Sequence, residues 1–224
     1  MNSPETRNSL SPSMMLELGE AVDKSKESPF VILTGAEGSF CSGANIALAA
    51  KELMSTEGGV AMNTLMMEVT GNLSGLDAVS FSAIDGAAFG GGAELATATD
   101  FRVLGGGSRS RVKFVQSLMG VTTGWGGGGR LVELVGRKEA LQLLLTHKEI
   151  NDDRHPFIDW QAPEGVSALA YTEQLIDSIL NKVDPQVVKS TKQMTGGGGA
   201  LERDIFASLW GGKAHREAFE RALR

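Results

Sequence analysis

The run IDGAAFGGGAELATATDF at 84–101 combines residue types that together can hold negative charge on a ligand. It follows VSFSAI at 79–84, whose apolar and β-branched residues predict a buried strand. Gly86, Gly90, Gly91 and Gly92 then allow tight bending and close approach of another molecule to the backbone. Ala93–Ala98 favours helix, which places the helix start at Gly91 or Gly92. The first N–H groups of a helix have no internal acceptor and lie at the positive end of its dipole, so a developing oxyanion is favoured there. Glu94 falls in the first turn, within reach of the same point. Taken alone, the run fits equally well a tight strand-to-helix turn with an acid set against the dipole.

A second stretch repeats the arrangement. Phe30–Thr34 reads as a strand, GAEGSFCSGAN at 35–45 as a small-residue loop, and a helix opens near Ile46. Two such loops can aim two backbone N–H groups at one atom, which is what an oxyanion hole requires. Other motifs are weaker. GWGGGG at 124–129 matches a dinucleotide-binding spacing, but it lacks a clean preceding strand, and the nearest suitable acid, Glu149, follows a helix. GGKA at 211–214 lacks the spacing and hydroxyl of a phosphate loop. His147, His155 and His215 have no second ligand at metal spacing, so no metal site is expected. Cys41 reads as a small buried residue.

These loops need a framework, and 224 residues are enough for one sizeable α/β body with a smaller C-terminal part. The plan divides into a core at 1–147 and a helical region at 148–224. Ser11 and Pro12 start a helix that runs to about Ser25 with Met14, Met15, Leu18, Ala21 and Val22 on one face. Residues 49–77 read as one or two helices with a break at Glu57–Gly59 and an apolar stripe of Met62, Leu65, Met66, Val69 and Leu73. Strands are expected at Phe101–Leu104 and Arg111–Gln116, with a turn at 105–108 between them. Helix follows at Arg130–Val135, is interrupted at Gly136 and resumes at Arg137–His147. Residues 148–166 read as a long loop, followed by helices over 167–183, 185–194, 200–209 and 213–223. A net charge of −6 gives no general reason to expect nucleic acid or an anionic membrane as partner, and no apolar run approaches the ~18 residues of a membrane span. The N-terminal residues show no signal-peptide or transit pattern, which leads to an expected cytosolic location.

FCSGAN at 40–45, IDGAAFGGGAEL at 84–95 and DFRVL at 100–104 together resemble the crotonase (enoyl-CoA hydratase/isomerase) superfamily. RNSLSPSMMLEL at 7–18 fits the segment after that family's first strand, and good register extends from about Arg7 to Leu145. MMLEL at 14–18, GGGAELATATDFR at 90–102, GWGGGGRLVELVG at 124–136 and LWGGKAHREAF at 209–219 are most similar to the branch that decarboxylates malonyl-type acyl-CoA esters. The resemblance implies a spiral of ββα units with a C-terminal helical part, usually a trimer or a dimer of trimers. It implies strands ahead of Arg7, where only six residues stand, so the sheet is expected to lose its first strands and expose an edge.

Carried over residue by residue, the resemblance makes the N–H groups of Ala44 and Gly91 the oxyanion hole for a thioester carbonyl. It places the CoA adenine and phosphates near Arg7, Asn8, Ala44, Asn45 and Ile46. Coenzyme A enters as part of the substrate, and no separate cofactor is implied. Hydratases of the family use two glutamates; Glu94 matches the first, while FVQSLMG at 114–120 has no acid for the second. Leu118 stands where the decarboxylating relative tends to carry an acid, and Leu118 and Trp125 are expected to make the pocket dry. Glu94 is expected either to donate a proton or to orient the pocket. The implied activity is decarboxylation of ethylmalonyl-CoA or methylmalonyl-CoA; the alternatives are an enoyl-CoA hydratase or isomerase, or a member that binds CoA esters without turnover.

Overall fold

The computed structural model describes residues 1–107, 109–196 and 199–223, so Ser108 of the expected 105–108 turn and the middle of the 196–199 glycine cluster lie outside the described residues. Ser11 accepts a hydrogen bond from the Met14 amide at 3.2 Å and Pro12 occupies the first helical position, which starts α1 (Pro12–Lys24). β1 (Phe30–Thr34) follows, then α2 (Ile46–Glu52), capped by the Asn45 side chain. α3 (Thr56–Ser74) packs on α1 and buries Met66, Val69 and Leu73. The expected break at Glu57–Gly59 falls earlier, because the Ser55 side chain accepts from the Gly58 amide at 3.0 Å and carries the glycines into the helix.

Four strands make one parallel sheet in the order β1, β2 (Val79–Ile84), β4 (Phe101–Leu104), β6 (Trp160–Gln161), with β1 at one edge. β3 (Ala87–Phe89) and β5 (Arg111–Lys113) pair in parallel in a second sheet. Single bridges extend this second layer, joining Leu10 to Ala44, Cys41 to Ala88 and Val112 to Ile150. Each pass of the chain thus crosses from one sheet to the other before its helix: β2 leads to β3 and then to α4 (Gly91–Ala96). This is the expected spiral of ββα units.

In-register pairing decides the packing. Phe81 lies opposite Ile32 and Phe101, and Trp160 opposite Val103. Phe81 and Phe101 stand 5.3 Å apart between ring centres and Phe101 and Trp160 5.1 Å, each such pair adding on the order of 1 kcal/mol beyond its buried area. This aromatic row is covered by α6 (Ala168–Leu180) through Ala168, Leu169, Tyr171, Leu175 and Ile176. Residues 148–180 therefore belong to the α/β body, and the division expected at 147/148 cuts across its sheet. β6 was hidden because a two-residue strand between prolines carries no periodicity of its own. β5 ends at Lys113, short of the expected Gln116, and Gln116–Met119 forms a 3₁₀ turn.

α5 (Gly127–Thr146) begins three residues before the expected Arg130. It is bent at Gly136, whose φ of 79° and ψ of 156° only glycine adopts readily. α7 (Pro185–Thr195) is tied to the body by Lys192, whose Nζ donates to Asp100 Oδ2 and to the Ala78 carbonyl, both at 2.7 Å. α8 (Gly199–Leu209) and α9 (Lys213–Ala222) carry an aromatic stack in which Trp210 lies 5.1 Å from Phe206 and 4.3 Å from His215.

Candidate functional site

The two small-residue loops meet. Gly43 approaches α4 so closely that a Cβ on it would lie 2.9 Å from the Gly91 nitrogen. Its neighbour Ala44 is held by the segment 6–10: the Leu10 amide donates to the Gly43 carbonyl at 2.8 Å and the Asn45 amide to the Leu10 carbonyl at 2.9 Å. In a parallel bridge of this kind the Ala44 N–H points away from Leu10. Gly91 is the first residue of α4, so its N–H has no intrahelical acceptor. Neither amide has a backbone partner among the described residues. Two unengaged N–H groups thus sit on adjoining loops, each fixed by a sheet layer behind it.

Gly91 must be glycine, because a Cβ there would run into the six-membered ring of Trp125. Trp125 is 3% exposed, and its indole forms an apolar wall directly against the Gly91 backbone. Glu94, one turn further along α4, is 2% exposed. Its Oε2 accepts from the Trp125 amide at 2.8 Å and the Gly127 amide at 3.0 Å. Its Oε1 accepts from Gln116 Nε2 at 2.9 Å and the Gly124 amide at 3.2 Å. Four donors fill the four lone-pair positions of a carboxylate. Glu94 therefore fixes the 124–127 turn and the start of α5, with the negative charge set at the positive helix end.

Residues with no sequence signal complete the turn. Arg130 donates from Nη2 to the Trp125 carbonyl at 2.7 Å and from Nε to Thr97 Oγ1 at 3.0 Å. Burial pulls its guanidinium below the ordinary value, and the charge of Glu94 opposes that. Thr70 Oγ1 donates to the same Trp125 carbonyl at 2.8 Å, and Asn63 Nδ2 donates to the Gly124 carbonyl. These partners come from α3, α4 and α5, far apart in sequence, so local patterning could not reveal them.

The other expected site residues divide. Arg7 is exposed at the edge of the 42–45 loop, with its carbonyl accepting from the Ser42 amide at 3.1 Å, and Ile46 is 65% exposed beside it. Asn45 uses its side chain to cap α2, accepting from the Leu48 amide at 3.1 Å. Asn8 is 0% exposed, and its amide is spent on the chain itself, donating to the Ala36 carbonyl at 2.9 Å and the Ser39 carbonyl at 2.6 Å. It shapes the loop and does not face a ligand. Leu118 does not wall a dry pocket, because it projects from the 3₁₀ turn and is 66% exposed. The same turn brings Gln116 opposite Glu94, so the residue facing the first acid is an amide. Burial pushes the Cys41 thiol up to about 11, which leaves it inert at neutral pH.

The chain is similar to known proteins in both sequence and fold. Residues 1–155 match the family model described as enoyl-CoA hydratase/isomerase. The ethylmalonyl-CoA decarboxylase of Danio rerio is 34% identical over 235 residues, covering 97% of this chain and 76% of the relative. The protein of that name from Gallus gallus is 33% identical over 238 residues, covering 99% of this chain and 78% of the relative. Among solved structures, an enoyl-CoA hydratase from Bacillus anthracis superposes with a TM-score of 0.86 at 23% identity, covering 97% of this chain and 88% of that one. One from Polaromonas sp. JS666 gives 0.85 at 25% identity, covering 99% and 90%.

Proposed function

The chain belongs to the enoyl-CoA hydratase/isomerase family, and we propose that within it this protein is an acyl-CoA decarboxylase that takes ethylmalonyl-CoA or methylmalonyl-CoA. The observation that carries the reading is the composition of the site: two free backbone donors and an apolar indole, with Gln116 in place of a second carboxylate facing Glu94. Addition of water across a double bond calls for a pair of groups that move protons to and from that water. Here one member of the pair is an amide and the other has its lone pairs filled. Decarboxylation asks only that the thioester enolate be stabilised and that a proton return.

In this reading the thioester oxygen lies between the Ala44 and Gly91 amides. As the bond to the carboxylate breaks, its electron pair passes into the enolate, whose oxygen takes up the negative charge. Each donor aimed at that oxygen is worth roughly 3–4 kcal/mol in the transition state. The Trp125 wall lowers the local dielectric, which favours expelling a charged carboxylate as neutral CO2. Glu94 is a positioning residue that holds Trp125 and the start of α5, and Arg7 at the loop edge is the candidate for a CoA phosphate. CoA arrives as part of the substrate, and the reaction so written uses no resident cofactor.

The test compares CO2 release from ethylmalonyl-CoA by the wild-type chain and by Ala44→Pro, which removes one donor. The variant is expected to lose roughly 10²–10³-fold in kcat. Ligand-induced thermal stabilisation by the ester should persist. An unchanged rate would remove Ala44 from the proposed hole.

A further inference from the structure

The Gly91 amide, a donor in the proposed reaction, needs an aim that its own neighbours cannot supply. Gly90, Gly91 and Gly92 open α4 without a single Cβ, and Gly90 lies at φ 54° and ψ −118°, a conformation that glycine adopts readily and other residues do not. With no side chains to restrict this backbone, its direction is set by what packs against it. Gly43 comes close to the Gly91 nitrogen from the other loop. The six-membered ring of Trp125 fills the place where a Cβ of residue 91 would stand. The indole is a buttress for the start of α4.

That buttress is itself set among glycines. Gly124, Gly126 and Gly127 surround Trp125, and Gly126 is left-handed at φ 76°. Trp125 keeps its place because its backbone is gripped from both sides. Glu94 Oε2 accepts from its amide at 2.8 Å. Arg130 Nη2 at 2.7 Å and Thr70 Oγ1 at 2.8 Å converge on its carbonyl. Arg130 reaches further: Nε donates to Thr97 Oγ1 at 3.0 Å, Nη1 to Thr70 Oγ1 at 3.3 Å, and Nη2 also to the Glu94 carbonyl at 3.4 Å. It folds back over the turn so closely that a Cβ on Gly126 would lie 2.7 Å from its Nη1. One planar fork thus ties α3, α4 and α5 to the residue that carries the indole. A lysine has the charge without the fork and cannot serve these directions at once.

We propose that Arg130 is a positioning residue for the reaction: by holding the Trp125 carbonyl it keeps the indole against Gly91, and so keeps the Gly91 N–H on the thioester oxygen. The inference rests on the decarboxylase reading and deepens it. Arg130 acts through Trp125 and moves no proton. Its effect falls on the enolate, whose oxygen carries the negative charge, more than on the bound ester, whose carbonyl is neutral.

The experiment uses the full chain and its Arg130→Met, Arg130→Lys and Thr70→Val variants, the last removing the second grip on the same carbonyl. CO2 release from ethylmalonyl-CoA gives kcat and KM. Calorimetry gives the affinity for two CoA ligands. One is butyryl-CoA, whose thioester is neutral; the other is a nitroalkyl-CoA thioether as its nitronate, which places enolate-like charge on oxygen. Arg130→Met is expected to lose roughly 10²-fold in kcat with KM within about threefold, the cost of a donor misplaced by about 1 Å. Its affinity for the nitronate should fall by a similar factor, while that for butyryl-CoA stays within about threefold. Arg130→Lys and Thr70→Val should show the same split with smaller losses, and they carry the test if Arg130→Met does not fold. Unchanged kcat in the folded variants would overturn the proposal. An equal loss of affinity for both ligands would also overturn it, because that marks a structural role only. Absence of CO2 release by the wild-type chain would overturn the decarboxylase reading and this inference together; wild-type turnover with insensitive variants overturns the inference alone.

Discussion

At the scale of single residues, Glu94 carries the most consequence. A carboxylate 2% exposed with four donors is a structural anchor as much as a chemical group. Glu94→Gln turns one acceptor oxygen into an NH2 facing N–H groups, which leaves buried donors unmet. The variant should lose at least ~3 kcal/mol of stability in urea unfolding, since each hydrogen bond to a charged group is worth about 1.5–3 kcal/mol. A variant of unchanged stability that lacks activity would instead make Glu94 the proton donor. The helix start at Gly91 and the place of Glu94 in its first turn were legible because each depends on immediate neighbours, a strand and a glycine turn, whereas Ala44 was singled out only by the family resemblance. Gln116 and Leu118 were not legible in the same way. Whether a side chain at 114–120 faces Glu94 depends on whether the chain there is extended or turned, and the 3₁₀ turn over Gln116–Met119 exchanges inward and outward positions.

At the scale of elements, α5 gives a test whose sign separates two structures. In a continuous helix, replacing glycine with alanine stabilises by about 0.5–1 kcal/mol. Gly136 has φ 79° and ψ 156°, a conformation that costs any other residue roughly 1–3 kcal/mol. Gly136→Ala should therefore lower stability, and a gain on denaturant unfolding would show that α5 runs straight. The interruption at Gly136 was readable because a glycine inside a helical run is a poor helix former. The start of α5 at Gly127 was not, since three glycines are poor helix formers and are held helical by the Glu94 carboxylate at their N-terminal end. β6 has the same explanation: its place is set by Trp160 joining the row of Phe81 and Phe101, a contact across the sheet and not a pattern within its own two residues.

At the scale of the whole molecule, the ββα spiral brings two loops from different turns together, with Gly43 against Gly91, which no single turn could do. The exposed aromatics Phe206 on α8, Trp210 in the turn after it and Phe219 on α9, each more than half exposed, form an apolar surface suited to burial between copies. We propose a homotrimer or hexamer, and light scattering should give three or six times the chain mass at micromolar concentration; a monomer would contradict this. The central claim is that these loops stabilise a thioester enolate formed by loss of CO2. Its most direct measurement is side-by-side turnover of ethylmalonyl-CoA, methylmalonyl-CoA and crotonyl-CoA, with the acyl-CoA products identified by mass. Loss of CO2 from the malonyl esters with crotonyl-CoA untouched is the predicted result, and hydration of crotonyl-CoA with the malonyl esters intact would contradict it.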